Sequence, residues 1–184
     1  MCFCLLSPMT RFEAVCACLD RLSRAGVLNR LSTAPACVEV DEIRRLLSLK
    51  PGSCRFPDQK ARRLAAAGCL FYDDHGRGGI LGFLREFVNA GDARKALVMN
   101  VAGLGMKEAS HFLRNIGRGR DVAVLDVHLR RFMSETGMVS QEIAGSGSRM
   151  NYESMEEAFT SLAFNSGLET SALDLAIWEY MRGR

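Results

Sequence analysis

Nowhere in this 184-residue sequence is there an apolar run near the roughly 20 residues that a membrane-spanning helix needs. The apolar start, residues 1–6, is too short for a span and lacks the basic opening of a signal peptide. The expectation is an intracellular protein. No Cys-x-x-Cys pair occurs among the seven cysteines, only the Cys2/Cys4 and Cys16/Cys18 pairs, and no four-cysteine cluster stands near the C-terminus to hold iron and sulfur. The cysteines read as small, reduced, buried hydrophobes. Histidines are few and scattered, at 75, 111 and 128, so no metal site is argued. There is one tryptophan, no internal repeat, and no pair of alternating strand patterns joined by a hairpin turn.

What is present reads as helix almost throughout. At 48% apolar and 24% charged residues, the composition is that of an ordinary globular chain, long enough for one domain with a proper core. The spacing predicts a helix over 11–25 with Phe12, Val15, Leu19 and Leu22 on one face and Gly26 as its stop. A second is predicted over 41–50, and a third opens at Pro57-Asp58 and closes at Gly68. A polar, Gly-rich loop over 73–79 precedes a helix over 80–88. Further helices are expected over 92–101, 106–116 and 127–135. One capped by Asn151 carries Met155 and Phe159, and a last one from Thr170 or Ser171 carries Leu173, Ile177 and Tyr180. The Gly/Ser stretch 145–148 is expected to be mobile.

The segment Val101-Ala102-Gly103-Leu104-Gly105-Met106-Lys107 organises the rest. It predicts a helical hairpin over about 92–117, with Asp92 capping the first helix and a Gly-x-Gly turn leading into the second. Gly103 and Gly105 permit backbone angles closed to other residues and let another backbone approach. Such a turn points free N–H groups outward at a positive helix N-terminus, a site suited to one phosphate. A plain helical hairpin would have the same pattern. Residues 107–131 hold six basic against three acidic side chains, a local +3 equal to the net charge of the whole chain. A basic segment beside a phosphate-sized nest suggests nucleic acid, although charge runs are ordinarily solvated faces.

Lys107 falls in the first turn of the second hairpin helix, and Asp126 is placed to cap the helix that follows. A lysine amine is nucleophilic only when neutral, and a helix N-terminus, desolvation or nearby cations each favour that form. A neutral lysine can attack a sugar C1′ and form a Schiff base. A neighbouring aspartate can stabilise positive charge on the sugar or move protons. Taken alone, a lysine at a helix start is solvated and an aspartate there is a cap, so neither identifies a catalyst.

The run Gly103-Leu104-Gly105-Met106-Lys107-Glu108-Ala109-Ser110-His111-Phe112-Leu113-Arg114-Asn115-Ile116-Gly117, with Leu125-Asp126-Val127-His128 after it, resembles the helix-hairpin-helix and Gly/Pro-Asp loop of DNA base-excision glycosylases. Its wording is most similar to the archaeal-type 8-oxoguanine DNA glycosylase/AP lyase family. Phe3-Cys4-Leu5-Leu6-Ser7-Pro8, Arg55-Phe56 with Lys60-Ala61, and Leu173-Asp174-Leu175 with Ile177-Trp178 extend the resemblance nearly end to end.

The resemblance implies an all-α, two-lobed helix-hairpin-helix glycosylase fold over 1–184, with a DNA cleft between lobes. It implies Lys107 as the Schiff-base nucleophile and Asp126 as its acidic partner. Gly103, Gly105 and His128 would meet the DNA backbone, directly or through a monovalent cation held by hairpin carbonyls. Trp178 would stack on a flipped base or anchor an amphipathic helix; His128 would contact phosphate or pack structurally. His111, Phe71, Tyr72 and Phe83 are expected to be structural.

The implied activity is excision of 8-oxoguanine from duplex DNA, then strand cleavage by β-elimination, with no redox cofactor or catalytic metal. The protein would act as an intracellular, nucleoid-associated monomer with no membrane partner. The sequence departs from the family where Met9-Thr10 replaces Gln-Ser, a change at the base pocket that removes a hydrogen-bonding side chain. Helix material normally precedes the element that here starts at Phe3, and the family's usual terminal lysine is replaced by an ending at Arg184. Two other readings stay open: a glycosylase of the same fold for another oxidised base, and a hairpin DNA-binding module without catalysis.

Overall fold

The protein, seen as a computed structural model, is described over residues 1–72 and 78–184. Every regular element there is helical: α1 (Cys2–Leu6), α2 (Phe12–Arg24), α3 (Val27–Thr33), α4 (Val40–Ser48), α5 (Pro57–Tyr72), α6 (Gly79–Arg85), α7 (Ala90–Asn100), α8 (Met106–Asn115), α9 (Val127–Glu135), α10 (Gln141–Gly145), α11 (Arg149–Asn165) and α12 (Thr170–Arg182). The all-α expectation holds among the described residues. His75 and most of the loop expected over 73–79 lie outside them.

The chain divides into two compact units. One takes Met1–Val88 with Ala96–Leu104, the other Asn89–Lys95 with Gly105–Arg184. In the first, α5 packs on α3 and α4, and α2 packs on both of those. Leu22, Val27, Ile43, Leu47 and Leu64 are buried there. Each such side chain contributes roughly 1.5–3 kcal/mol on leaving water. In the second, α9 packs on α10 and α12, and α11 on α12, around Leu125, Leu129, Met133, Met155, Phe159, Ile177 and Met181.

Several sequence expectations need correction. Helix α5 runs through Gly68 instead of ending there. A Cβ at Gly68 would stand 2.9 Å from Leu31, so this glycine serves close packing against α3. The cap of α7 is Asn89, whose side chain accepts the Asp92 N–H at 2.8 Å; Asp92 itself lies inside the helix. Ser148, not Asn151, caps α11, and its hydroxyl accepts the Asn151 N–H at 3.1 Å. Part of the 145–148 stretch is helix end and cap, and Ser146 offers its carbonyl to Arg130 at 2.6 Å. Phe12 and Tyr180 are exposed. Of the cysteines, Cys4, Cys18 and Cys54 are buried, while Cys16, Cys37 and Cys69 are exposed. Phe71 and Phe83 are core residues, edge to face at 5.4 Å.

Candidate active site and nucleic-acid interface

The hairpin turn closes where Leu104 N–H donates to the Val101 carbonyl at 3.1 Å. Gly103 takes φ +86°, a left-handed angle that favours glycine, while the flexible end of the Arg63 side chain fills the space a Cβ would take. Gly105 differs from expectation: at φ −85°, ψ −179° it is ordinary extended backbone. It acts as the N-cap of α8 without a capping side chain, so no cap competes for the N–H groups of that first turn.

Lys107 is the second residue of α8. Its Nζ lies 3.0 Å from Glu108 Oε1, and its side chain is about one-third exposed at 35%. His111 and Arg114 follow at helical spacings of four and seven, placing all three on one stripe of α8. Burial is the main cause that pushes the His111 imidazole down to about 4, helped by Arg114 and Lys107 and opposed by Glu108 and Asp126. At neutral pH this ring is uncharged.

Asp126 caps α9 as expected. Its Oδ1 accepts the N–H groups of His128 at 2.9 Å and Leu129 at 3.0 Å, so capping leaves Oδ2 uncommitted. Lys107 and Asp126 line one cleft of about 560 Å³ together with Val127, Arg130, Arg131 and Gln141. The two residues named from sequence therefore face a common space within the second unit.

His128 and Trp178, also in that unit, meet each other. Their rings are edge to face at 6.4 Å, and the Arg182 guanidinium lies 4.9 Å over the indole. Trp178 is half-buried on α12. Met9, in the first unit, is 66% exposed at φ +55°, a left-handed angle uncommon for a side-chain-bearing residue. It lines a shallow cleft of about 530 Å³ with Thr10, Arg11 and Arg55.

Arg114 and Arg130 prove less available to an anion than the sequence suggests, whereas the Arg120 and Arg131 pairs are solvent-exposed. Arg114 pairs with buried Asp174 at 3.1 Å, and Arg120 pairs with Glu169 at 3.2 Å. Arg130 donates to the carbonyls of Leu125, Ala144 and Ser146, and Arg131 pairs with Glu135 at 3.4 Å.

Sequence reasoning missed the buried charges. Lys60, 1% exposed, donates to the carbonyls of Leu6 (2.6 Å) and Pro8 (2.9 Å) and to the Thr10 hydroxyl (2.6 Å), fixing the turn that carries Met9. Arg94, Glu156 and Asp174 do comparable work in the second unit. A signal existed: Asp174 shares the helical register of Thr170, Ile177 and Met181, the buried face of α12. Among the described residues, no group of three or more His, Cys, Asp or Glu side chains is placed to hold a metal.

A Gly-x-Gly hairpin between helices, a lysine on the first turn beyond it and a helix-capping aspartate on the same cleft, in an otherwise helical chain, define the class of helix-hairpin-helix DNA glycosylases. A family model described as 8-oxoguanine DNA glycosylase matches residues 1–168, and the chain belongs to that family. It is similar to the 8-oxoguanine DNA glycosylase/AP lyase of Thermoplasma volcanium, 32% identical over 91% of this chain and 78% of that protein. With the protein of the same name from Metallosphaera sedula it shares 34% identity over 74% of this chain, spanning only 63% of the relative's length. The crystal structure of the Methanocaldococcus jannaschii 8-oxoguanine glycosylase/lyase in complex with 15mer DNA containing 8-oxoguanine superposes with a TM-score of 0.80. Identity there is 28%, covering 100% of this chain and 79% of that one.

Proposed function

We propose that this protein is a bifunctional base-excision repair enzyme that removes 8-oxoguanine from duplex DNA and then cleaves the strand. The observation that carries the reading is the shared cleft of Lys107 and Asp126, each fixed by the first turn of its own helix. The family and the names of its relatives support the substrate.

The damaged nucleotide is extruded from the stack. The Lys107 amine, once it has given up a proton and left Glu108, attacks C1′. The C1′–N9 bond breaks, and the base leaves with the electron pair and takes a proton. Asp126 Oδ2 stabilises the positive charge that develops on the sugar. Ring opening gives a Schiff base between Nζ and C1′. Loss of a C2′ proton then expels the 3′ phosphate by β-elimination. No step calls on a metal or redox cofactor.

The hairpin, with Gly103 at its turn and uncapped N–H groups after Gly105, receives a backbone phosphate. His128 adds a further phosphate contact, and Trp178 offers a half-buried aromatic face to the flipped base. Met9 presents a flexible apolar tip in place of a hydrogen-bonding one. The enzyme works as a monomer on double-stranded DNA inside the cell, a setting in which its cysteines stay reduced. Among the described residues no helix is long and apolar enough to cross a membrane.

The test is borohydride trapping on a duplex with one 8-oxoguanine. A covalent protein–DNA adduct is expected, lost on Lys107→Gln while duplex binding persists. Strand cleavage retained by Lys107→Gln would overturn the assignment. An adduct with an abasic duplex but none with 8-oxoguanine would move the doubt to the base pocket.

A further inference from the structure

Residues 122–125 have no regular secondary structure, yet Val122, Ala123, Val124 and Leu125 are all buried. Buried backbone N–H groups need partners, and here no neighbouring strand or helix supplies them. Three consecutive N–H groups are instead taken by side chains. Ala123 donates to Glu156 Oε1 at 2.9 Å, Val124 to Asp174 Oδ2 at 2.7 Å, and Leu125 to the Tyr152 hydroxyl at 3.3 Å. The same hydroxyl donates to the Ala123 carbonyl at 2.9 Å. The next residue is Asp126.

Each of the two carboxylates also holds an arginine. Glu156 takes both terminal nitrogens of Arg94, and Arg94 donates in turn to the Ser110 hydroxyl at 3.1 Å. Asp174 takes Arg114 at 3.1 Å. Ser110 and Arg114 lie on α8, three and seven residues after Lys107. Two bridges, in part buried, thus run from the helix that carries Lys107 to the segment that ends in Asp126. One is Ser110–Arg94–Glu156–Ala123, the other Arg114–Asp174–Val124.

We infer that Asp174 and Glu156 are positioning residues that set where Asp126 stands relative to Lys107, an inference that rests on the reaction proposed above. Neither carboxylate lines the Lys107–Asp126 cleft; they act through the backbone two and three residues ahead of Asp126. A mismatch of about 1 Å between reacting groups can cost roughly a hundredfold in rate, so firm support for this segment has a catalytic consequence.

The test compares Asp174→Asn and Glu156→Gln with the full-length parent. Three quantities are measured: affinity for the 8-oxoguanine duplex, the single-turnover rate of borohydride-trapped adduct, and hydrogen–deuterium exchange across 120–128. Each variant is expected to form adduct at least about tenfold more slowly, with affinity within about twofold of the parent and faster exchange confined to 122–126. Both substitutions keep the side chain's shape; if one does not fold, the other carries the test. Faster exchange with an unchanged adduct rate overturns the positioning role. So does a rate that falls only in step with affinity and melting temperature, since that pattern is simple destabilisation. If the parent forms no adduct with either 8-oxoguanine or abasic duplex, the reaction itself is wrong and the inference falls with it. An active parent matched by both variants removes the inference alone.

Discussion

Both compact units bury charge beside irregular backbone, and they do it differently. In the first, the Lys60 ammonium meets two carbonyls and a hydroxyl. Burial pushes its pKa down, with Cys54 and Cys18 pulling the other way. In the second, guanidinium groups meet carboxylates: Arg94 with Glu156, and Arg114 with Asp174. Arginine holds its charge at any working pH and matches a carboxylate in a fork, whereas a buried lysine can surrender its proton. The first arrangement ties down the turn bearing Met9. The second ties down the approach to Asp126. The contrast teaches that rigid charge pairs hold the backbone leading to Asp126, the proposed acidic partner of Lys107, while a single buried lysine shapes the turn of Met9.

The sharpest way to break that contrast is Asp126→Asn. Asparagine caps a helix about as well as aspartate, so stability should change by less than about 1 kcal/mol. Loss of the carboxylate should slow single-turnover base excision by roughly 10²–10⁴-fold. A variant that melts early yet excises at the parental rate would reduce Asp126 to a cap and the second unit to scaffold. Lys60→Met should show the reverse pattern. Methionine fills the space but leaves the Leu6 and Pro8 carbonyls without their donor, a loss of roughly 1–3 kcal/mol for such buried groups. Urea melts should move by that amount, while adduct formation on an abasic duplex, where no base is recognised, should hold within about twofold. If abasic trapping collapses as well, the division of labour between the units is wrong.

The helices, and the places of Lys107 and Asp126 at helix starts, were legible because their signals are local. Helical periodicity over ten residues, a glycine pair at a turn, and an aspartate just before Val127 all lie within one stretch of chain. Helix boundaries went wrong where packing overrode local preference. Gly68 looks like a stop, but its missing side chain is what lets Leu31 approach. Asn89 and Ser148 do the capping because the chain enters those helices earlier than apolar spacing shows. The basic stretch 107–131 was legible as charge and misleading as surface. Arg114 and Arg130 point inward to partners that composition cannot reveal, Asp174 sixty residues away and the carbonyls of α10 and its cap. The network behind Asp126 was not legible because its bonds join residues 16 to 62 positions apart, and no spacing rule connects them.

The smallest expected effect separates half-buried His111 from buried Asp174, both in the second unit, by the sign of their response to acid. The His111 imidazole is held near 4 against an ordinary 6.5. Between those values the unfolded chain binds more protons than the native one, so this group's contribution to stability is lost as pH falls from 6.5 towards 4. The Asp174 carboxyl is pushed the other way, to about 6 from 3.8, by burial that outweighs the Val124 N–H and Arg114. There the native state holds the extra proton between 3.8 and 6, and stability is lost as pH rises through that window. The two slopes oppose each other over about pH 4–6, so the parent should show little net change from this pair. His111→Gln removes only the first. Its melting temperature relative to the parent should rise steadily as pH is lowered from 6.5 to 4, uncovering the Asp174 slope. A difference between variant and parent that stays constant across that range would mean that His111 protonates in the folded protein as freely as in the unfolded chain. The half-buried stripe of α8 beside Lys107 would then be far wetter than its packing shows.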